Sequence, residues 1–257
     1  MDNGLTLNVP VTYKFYSAEE ALAFLQRNGA AAPGGTVLGL LAPASTDVRA
    51  EGAWATVLSY DPINYVSADT ASGLAAPEFE VRVHEARDAQ GRPFEGFAAA
   101  PAYDANTYQL TWAERSAAPA SGGRDFRHEQ RLLARYGVVG LTSVGSADQQ
   151  PAINAAAPAL FNMVSFPAGR RYTDFSPASD ATSAFSIPGL VTGVPEADPN
   201  LIADAASAGG ANQSSGASGG LQGMFPWIAL GIAALAGVGY MISRRGQSED
   251  ARLTPDD

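Results

Sequence analysis

The densest run of chemically capable side chains is GRRYTDFSPASD, residues 169–180. Its carboxylates, Asp174 and Asp180, could hold a divalent cation or share proton-transfer work, because hard cations take oxygen ligands and paired carboxyls can serve as acid and base. A structural role is the more economical reading. Arg170 or Arg171 can pair with Asp174, and Ser179 or Asp180 can cap a helix over ATSAFSI. His84 and His128 are the only histidines, too few for a histidine metal site. His128, in FRHEQR, could act as a base beside Glu129. Neighbours on a strand point to opposite faces, however, so a surface histidine is expected. No Gly-x-Ser-x-Gly elbow precedes a helix, AGRRY is not a phosphate loop, and SGGR is a turn. Tyr103, Tyr108, Trp112 and Tyr172 could line a ligand groove, although aromatics at strand spacing more often pack across strands. PAYD reads as a turn in which Asp104 bonds local amides. No cofactor is implied.

Composition narrows the classes further. Sixteen Lys and Arg against 26 Asp and Glu leave a formal charge of −10, which argues against nucleic acid as a partner. The chain has no cysteine, which excludes disulfides, thiolate metal sites and cysteine nucleophiles. Hydrophobic residues at 46% are enough for a packed core.

These side chains need elements to position them. Leu5 to Phe15 reads as a short edge strand broken by Pro10. SAEEALAFLQRNG is a helix with Ser17 and Glu20 as a capping box, Ala21, Leu22 and Leu25 as its apolar face, and Gly29 at its end. TVLGLLAP and AWATVLSY are strands. PEFEVRVHEARDAQG fits both periods, with helix preferred because Phe79, Val83 and Ala86 share a helical face. Phe94–Ala99 and Tyr108–Glu114 form a hairpin across AAPAYDANT, with Tyr108, Leu110 and Trp112 on one face. SGGRD turns into FRHEQRLLAR, and VVGLTSV is an apolar strand. Pro151–Val164 is a helix with Ile153, Ala157, Leu160, Phe161 and Val164 on one side. Strands flanked by helices predict an α+β domain around an antiparallel sheet.

Beyond the domain, residues 201–223 are rich in Gly, Ser and Ala and read as a flexible linker. Residues 224–243 then read as one C-terminal transmembrane helix. Met224 to Ile242 carries no charge and no polar stripe, and as a helix it spans roughly 28 Å, close to a bilayer core. Trp227 and Tyr240 sit near its ends as interfacial rings, and Arg244 and Arg245 open a short tail, 244–257. Positive residues stay cytoplasmic, so the tail is expected inside and the domain outside the cell membrane. Met1, Asp2, Asn3 and Gly4 show no signal peptide. Either the start is trimmed or misassigned, or the chain inserts by its tail and the domain stays cytoplasmic; the flanking charge favours the outside. Ala229, Ala233 and Gly237 recur every four residues and could let two such helices pair.

Several blocks together resemble one family. GAWATVLSYDPINYVSADTA, FEGFAAAPAYDANTYQLTWAE, RLLARYGVVGL and FPAGRRYTDFSPASDATSAF occur in the order seen in the domain-of-unknown-function family number 2167, across roughly residues 5–195. The motif positions are Tyr103, Asp104, Trp112, Gly169, Tyr172, Asp174, Phe175 and Asp180. The chain departs from the family pattern at RDFRHEQ, where members tend to carry an Asn-Tyr pair, and at the shorter YVSADTASG. The resemblance implies a bacterial membrane-anchored protein, usually made with a signal peptide, and no established activity.

The expectation is therefore an extracytoplasmic α+β domain over 1–200, held by linker and helix to a lipid bilayer. A non-catalytic binding or interaction module of the envelope, partnered by another envelope or membrane protein, is the leading reading. The alternatives are an envelope enzyme, such as a metal-assisted hydrolase using Asp174 and Asp180, and a membrane-complex subunit that pairs through its transmembrane helix.

Overall fold

The computed structural model describes residues 4–92, 94–116 and 125–195. The expected linker, the expected transmembrane helix with Trp227, Ala229, Ala233, Gly237 and Tyr240, and the expected tail with Arg244 and Arg245 lie outside them. Among the described residues no helix is long and apolar enough to cross a membrane.

The expected α+β class holds. Strands β2 (Tyr13–Tyr16), β3 (Thr36–Pro43), β4 (Ala55–Asp61), β5 (Gly96–Asp104), β6 (Gln109–Arg115), β7 (Phe126–Ala134) and β8 (Gly137–Gly145) build one sheet. Their order is β2-β3-β4-β8-β7-β6-β5, and every neighbour pair is antiparallel. Two short strands, β1 (Thr6–Leu7) and β9 (Val164–Ser165), pair separately. The stretch Leu5–Phe15 thus splits in two, because Pro10 accepts the amide of Tyr13 in a turn and cannot itself extend a ladder.

Helices cover both faces. On one side lies α3 (Gln150–Asn162), whose Ala156 and Leu160 pack on Leu58, Leu132, Val139 and Leu141. It ends before Val164, which instead joins β9. The other face is shared. There α1 (Ala18–Arg27) packs Ala21, Phe24 and Leu25 on β3, β4 and β8. Beside it, α2 (Phe79–Ala89) and α4 (Ile187–Thr192) pack Phe79, Val83, Ile187 and Val191 on Leu110, Trp112, Leu133 and Val138.

Local chemistry explains most boundaries. Ser17 Oγ accepts the amide of Glu20 at 3.3 Å, and Glu20 returns a bond to the Ser17 amide at 3.0 Å, closing the expected capping box. Gly29, at φ +61°, follows the helix end. Phe24 takes the core position expected of Leu22, which is half exposed. At about 100° per residue, Phe24 and Leu25 fall on either side of Ala21, while Leu22 lies roughly 160° from Phe24 and has turned outward. PAYD is not a turn: residues 101–104 complete β5, and only Asp104 enters the turn. ATSAFSI is not helical either. Instead α4 begins at Ile187, where Ser186 Oγ accepts the Gly189 amide at 2.9 Å and Pro188 stands in the first turn.

Candidate functional site

The motif positions converge at one end of the sheet, around the Tyr172 ring. Tyr172 sits in a short 3-10 turn, Tyr172–Asp174, and is buried. Its ring stacks on Tyr65 at 4.5 Å and lies 4.5 Å from Tyr108, while Phe175 stacks on the other face of Tyr65. The Tyr172 hydroxyl donates to the Val66 carbonyl at 2.9 Å and accepts the Ala68 amide at 3.0 Å. Burial, then its tyrosine neighbours, push this phenol far up, so it stays protonated. Burial likewise raises Tyr103 to about 12. Tyr172 is thus a plug that joins the loop after β9 to the segment after β4.

Asp174 and Asp180 hold that loop in shape. Asp174 Oδ2 accepts the amides of Gly169 at 2.8 Å and Arg171 at 2.9 Å. Asp180 meets Arg135, which sequence reasoning missed, through two bonds of 2.7 and 2.9 Å. It also accepts the Ser176 amide at 2.8 Å. The Arg135 bond, the largest influence, carries the Asp180 carboxyl well below the ordinary carboxylate range, and the same contact raises Arg135. Among the described residues no group of three or more His, Asp or Glu converges in a metal cradle. Asp104, the last residue of β5, bonds a local amide as expected, accepting the Asn106 amide at 2.9 Å and the Thr107 hydroxyl at 2.8 Å. The Asn106 amide is the first cause of its lowered pKa.

His128 lies on β7 opposite Ser143, half-buried under α3 and not on the surface. Its Nδ1 is buried without a hydrogen-bond partner among the described residues, and burial lowers its pKa. Glu129 points to the opposite face, so the two do not form an acid–base pair.

That opposite face holds a row of buried charge between the two helical covers. Arg87 of α2 bonds Glu114 through Nε at 3.1 Å and Nη2 at 2.5 Å, and donates to the carbonyls of Val191 and Thr192. Trp112 Nε1 donates to the same carboxylate at 2.7 Å. Arg127 and Arg131 flank Glu129, which also accepts the Thr142 hydroxyl at 2.6 Å. Arg131 lies over the Trp112 ring at 5.3 Å. Gly140 leaves it room: a Cβ there would stand 2.8 Å from Nη1. Burial alone would raise Glu129, yet the two guanidiniums hold it near about 2. Arg92 is pushed down to about 9 by burial and then by Arg127 and Arg87. The sequence offered one signal for this row, the alternation of Arg127, Glu129 and Arg131 on a strand.

A cavity of about 300 Å³ opens beside Tyr172. Tyr108 and Tyr172 line it, as the groove reading expects; Trp112 and Tyr103 do not. Its floor is Leu132, Leu133, Phe161, Val164 and Phe166, and Arg171 stands at the rim.

A comparison with curated proteins returns no match. Among solved structures, cyanobacterial PsbP (CyanoP) from Synechocystis sp. PCC 6803 is similar at 9% identity and a TM-score of 0.37, over 65% of this chain and 89% of that one. The family model described as "Protein of unknown function (DUF2167)" matches residues 2–203, most of the chain and all the motif positions, and the protein belongs to that family.

Proposed function

We propose that the protein is a single-pass, membrane-anchored component of the bacterial envelope whose α+β domain stands outside the cytoplasmic membrane as a non-catalytic binding module. One observation supports the non-catalytic part: both oxygens of Asp180 are held by Arg135 and Asp174 spends Oδ2 on two backbone amides, so the two carboxylates are not free together for paired acid–base work. A general acid or base needs a free valence toward substrate. The anchoring rests on the apolar segment 224–243 and on Arg244 and Arg245 behind it.

Protease added to intact cells whose outer layers have been opened should remove the domain. Digestion only after the cytoplasmic membrane is permeabilised would place the domain inside. Pull-down of the full-length chain from its own membranes should recover an envelope partner. Turnover of envelope substrates that is lost in Asp174→Asn would make the protein an enzyme and overturn the binding-module reading. Crosslinked oligomers abolished by Gly237→Leu would instead assign it to a membrane complex assembled through Ala229, Ala233 and Gly237.

A further inference from the structure

The cavity beside Tyr172 joins an apolar floor to a single cationic rim group. Its floor residues come from three separate places: Leu132 and Leu133 from β7, Phe161 from the end of α3, and Val164 and Phe166 from the β9 segment. Water in such a space finds few hydrogen-bond partners, so an apolar group displaces it at little cost. Of the four hydroxyl side chains on the lining, Thr107, Tyr108, Tyr172 and Thr173, two are already committed. The Tyr172 hydroxyl is bonded to Val66 and Ala68, and the Thr107 hydroxyl to Asp104.

The rim differs. Arg171 is exposed, and among the described residues its guanidinium has no ion pair or hydrogen bond. The nearest carboxylate in sequence, Asp174, is turned back onto the amides of Gly169 and Arg171 itself. A positive, forked donor above an apolar floor is complementary to an anion that carries a hydrocarbon tail. The volume of about 300 Å³ lies at the lower end of small-molecule sites, which suits one short tail and not a helix or a folded segment.

We propose that this cavity binds a free short-chain carboxylate amphiphile, its tail on Leu132, Phe161, Val164 and Phe166, which share one hydrophobic cluster, and its head held by Arg171. The proposal rests on the binding-module reading and names the ligand class of that module. The Gly169–Asp180 loop is then the part that carries Arg171 to the rim, which gives Asp174 and Asp180 a positioning role.

The test uses the full chain in nanodiscs of zwitterionic lipid, titrated calorimetrically with hexanoate, hexylamine and acetate. Hexanoate should bind saturably at one site, and neither hexylamine, which reverses the head charge, nor acetate, which lacks the tail, should saturate. Arg171→Gln should weaken hexanoate about tenfold or more, the scale of a lost hydrogen bond to a charged group. The backbone amide that Asp174 uses is kept in that variant, and an unchanged circular dichroism spectrum would verify the fold. Equal binding of hexylamine, or unchanged affinity in Arg171→Gln, would overturn the proposal. Solvent extraction of protein purified from its own membranes identifies the source: a fatty-acid carboxylate depleted in the Arg171→Gln sample supports it, and a phospholipid in its place refutes it. Failure to bind hexanoate with partner capture intact rejects this site alone, whereas substrate turnover rejects the module reading beneath it.

Discussion

Arg135 and Asp180, 45 positions apart, meet as a two-bond fork in which Nε donates to Oδ2 at 2.7 Å and Nη2 to Oδ1 at 2.9 Å. The same arginine donates to the Gly169 carbonyl at 3.2 Å and lies 4.9 Å over the Tyr136 ring. One side chain thus clamps both ends of the loop that carries Tyr172.

Asp180→Asn should loosen that loop without unfolding the sheet. Hydrogen exchange at the Ser176 amide, which donates to Asp180, should accelerate while exchange in β7 and β8 stays slow. The pair is also pH-linked. Asp180 has a folded pKa below its ordinary value, so its stabilisation is complete above the unfolded carboxyl pKa and is lost as pH falls through the folded one. The gap in unfolding midpoint between wild type and Asp180→Asn should therefore close in acid. A gap of constant size would separate the pair from the acid sensitivity of the fold.

Glu114→Gln should be among the most destabilising single changes. It leaves Arg87, 2% exposed, with no carboxylate in the sheet. Removing one member of a buried pair costs about 3–5 kcal/mol, and Arg87 also ties the carbonyls of Val191 and Thr192 to α2. Urea unfolding measures the loss. A double replacement of Arg87 and Glu114 by apolar residues of similar size should recover only part of it, because Arg92, which also bonds Glu114 at 3.2 Å, then loses its carboxylate.

The legibility of the sequence follows the range of the interaction. The capping box at Ser17 and Glu20, the alternation through β6, and the helical face of Phe79, Val83 and Ala86 were readable because each signal lies within one element. Arg135–Asp180 and Arg87–Glu114 were not, since each partner alone reads as a solvated charge and only the sheet order brings the pair together. Leu22 was misread for a related reason. Hydrophobicity marks a candidate for burial, but the neighbouring strand decides which side of the helix is inward. The cavity belongs to the same class, because its floor is drawn from β7, α3 and the segment after β9.

His128 should make stability fall at mildly acidic pH. Burial lowers its folded pKa below the ordinary 6.5, so the unfolded chain takes up the proton more readily. The neutral ring's contribution is full above that ordinary value and is lost as pH drops through it toward the folded value. No carboxylate shares its face among its strand partners, Ala113 and Ser143, and Gln130 next along that face is neutral. His128→Gln should flatten the dependence, which thermal unfolding between about pH 5 and pH 8 would record; a slope unchanged by the substitution would assign it to other groups.

Tyr172→Phe keeps the stacked ring and removes the hydroxyl that serves Val66 and Ala68. One carbonyl and one amide then lose their partner, a cost of about 1–3 kcal/mol for each group left buried. The loss should appear in chemical denaturation, with the near-ultraviolet tyrosine signal retained because the stack with Tyr65 persists.

The strand order also sets the order of assembly. Strands β2, β3 and β4 form one run of consecutive hairpins, and β5 to β8 form another. Within the seven-stranded sheet only the β4–β8 ladder, from Ala55↔Val144 to Asp61↔Val138, joins strands that are not successive in the chain. Closing it spends the chain entropy of the whole excursion through α2 and the β5–β7 meander, whereas every other ladder of that sheet joins strands that follow one another in the chain, β2 and β3 across α1. Each meander can therefore gather first, and their zippering along β4 and β8 is the slow, rate-setting event of folding. Truncations such as Val57→Ala at that seam should slow refolding, while truncations in α4 should mainly speed unfolding.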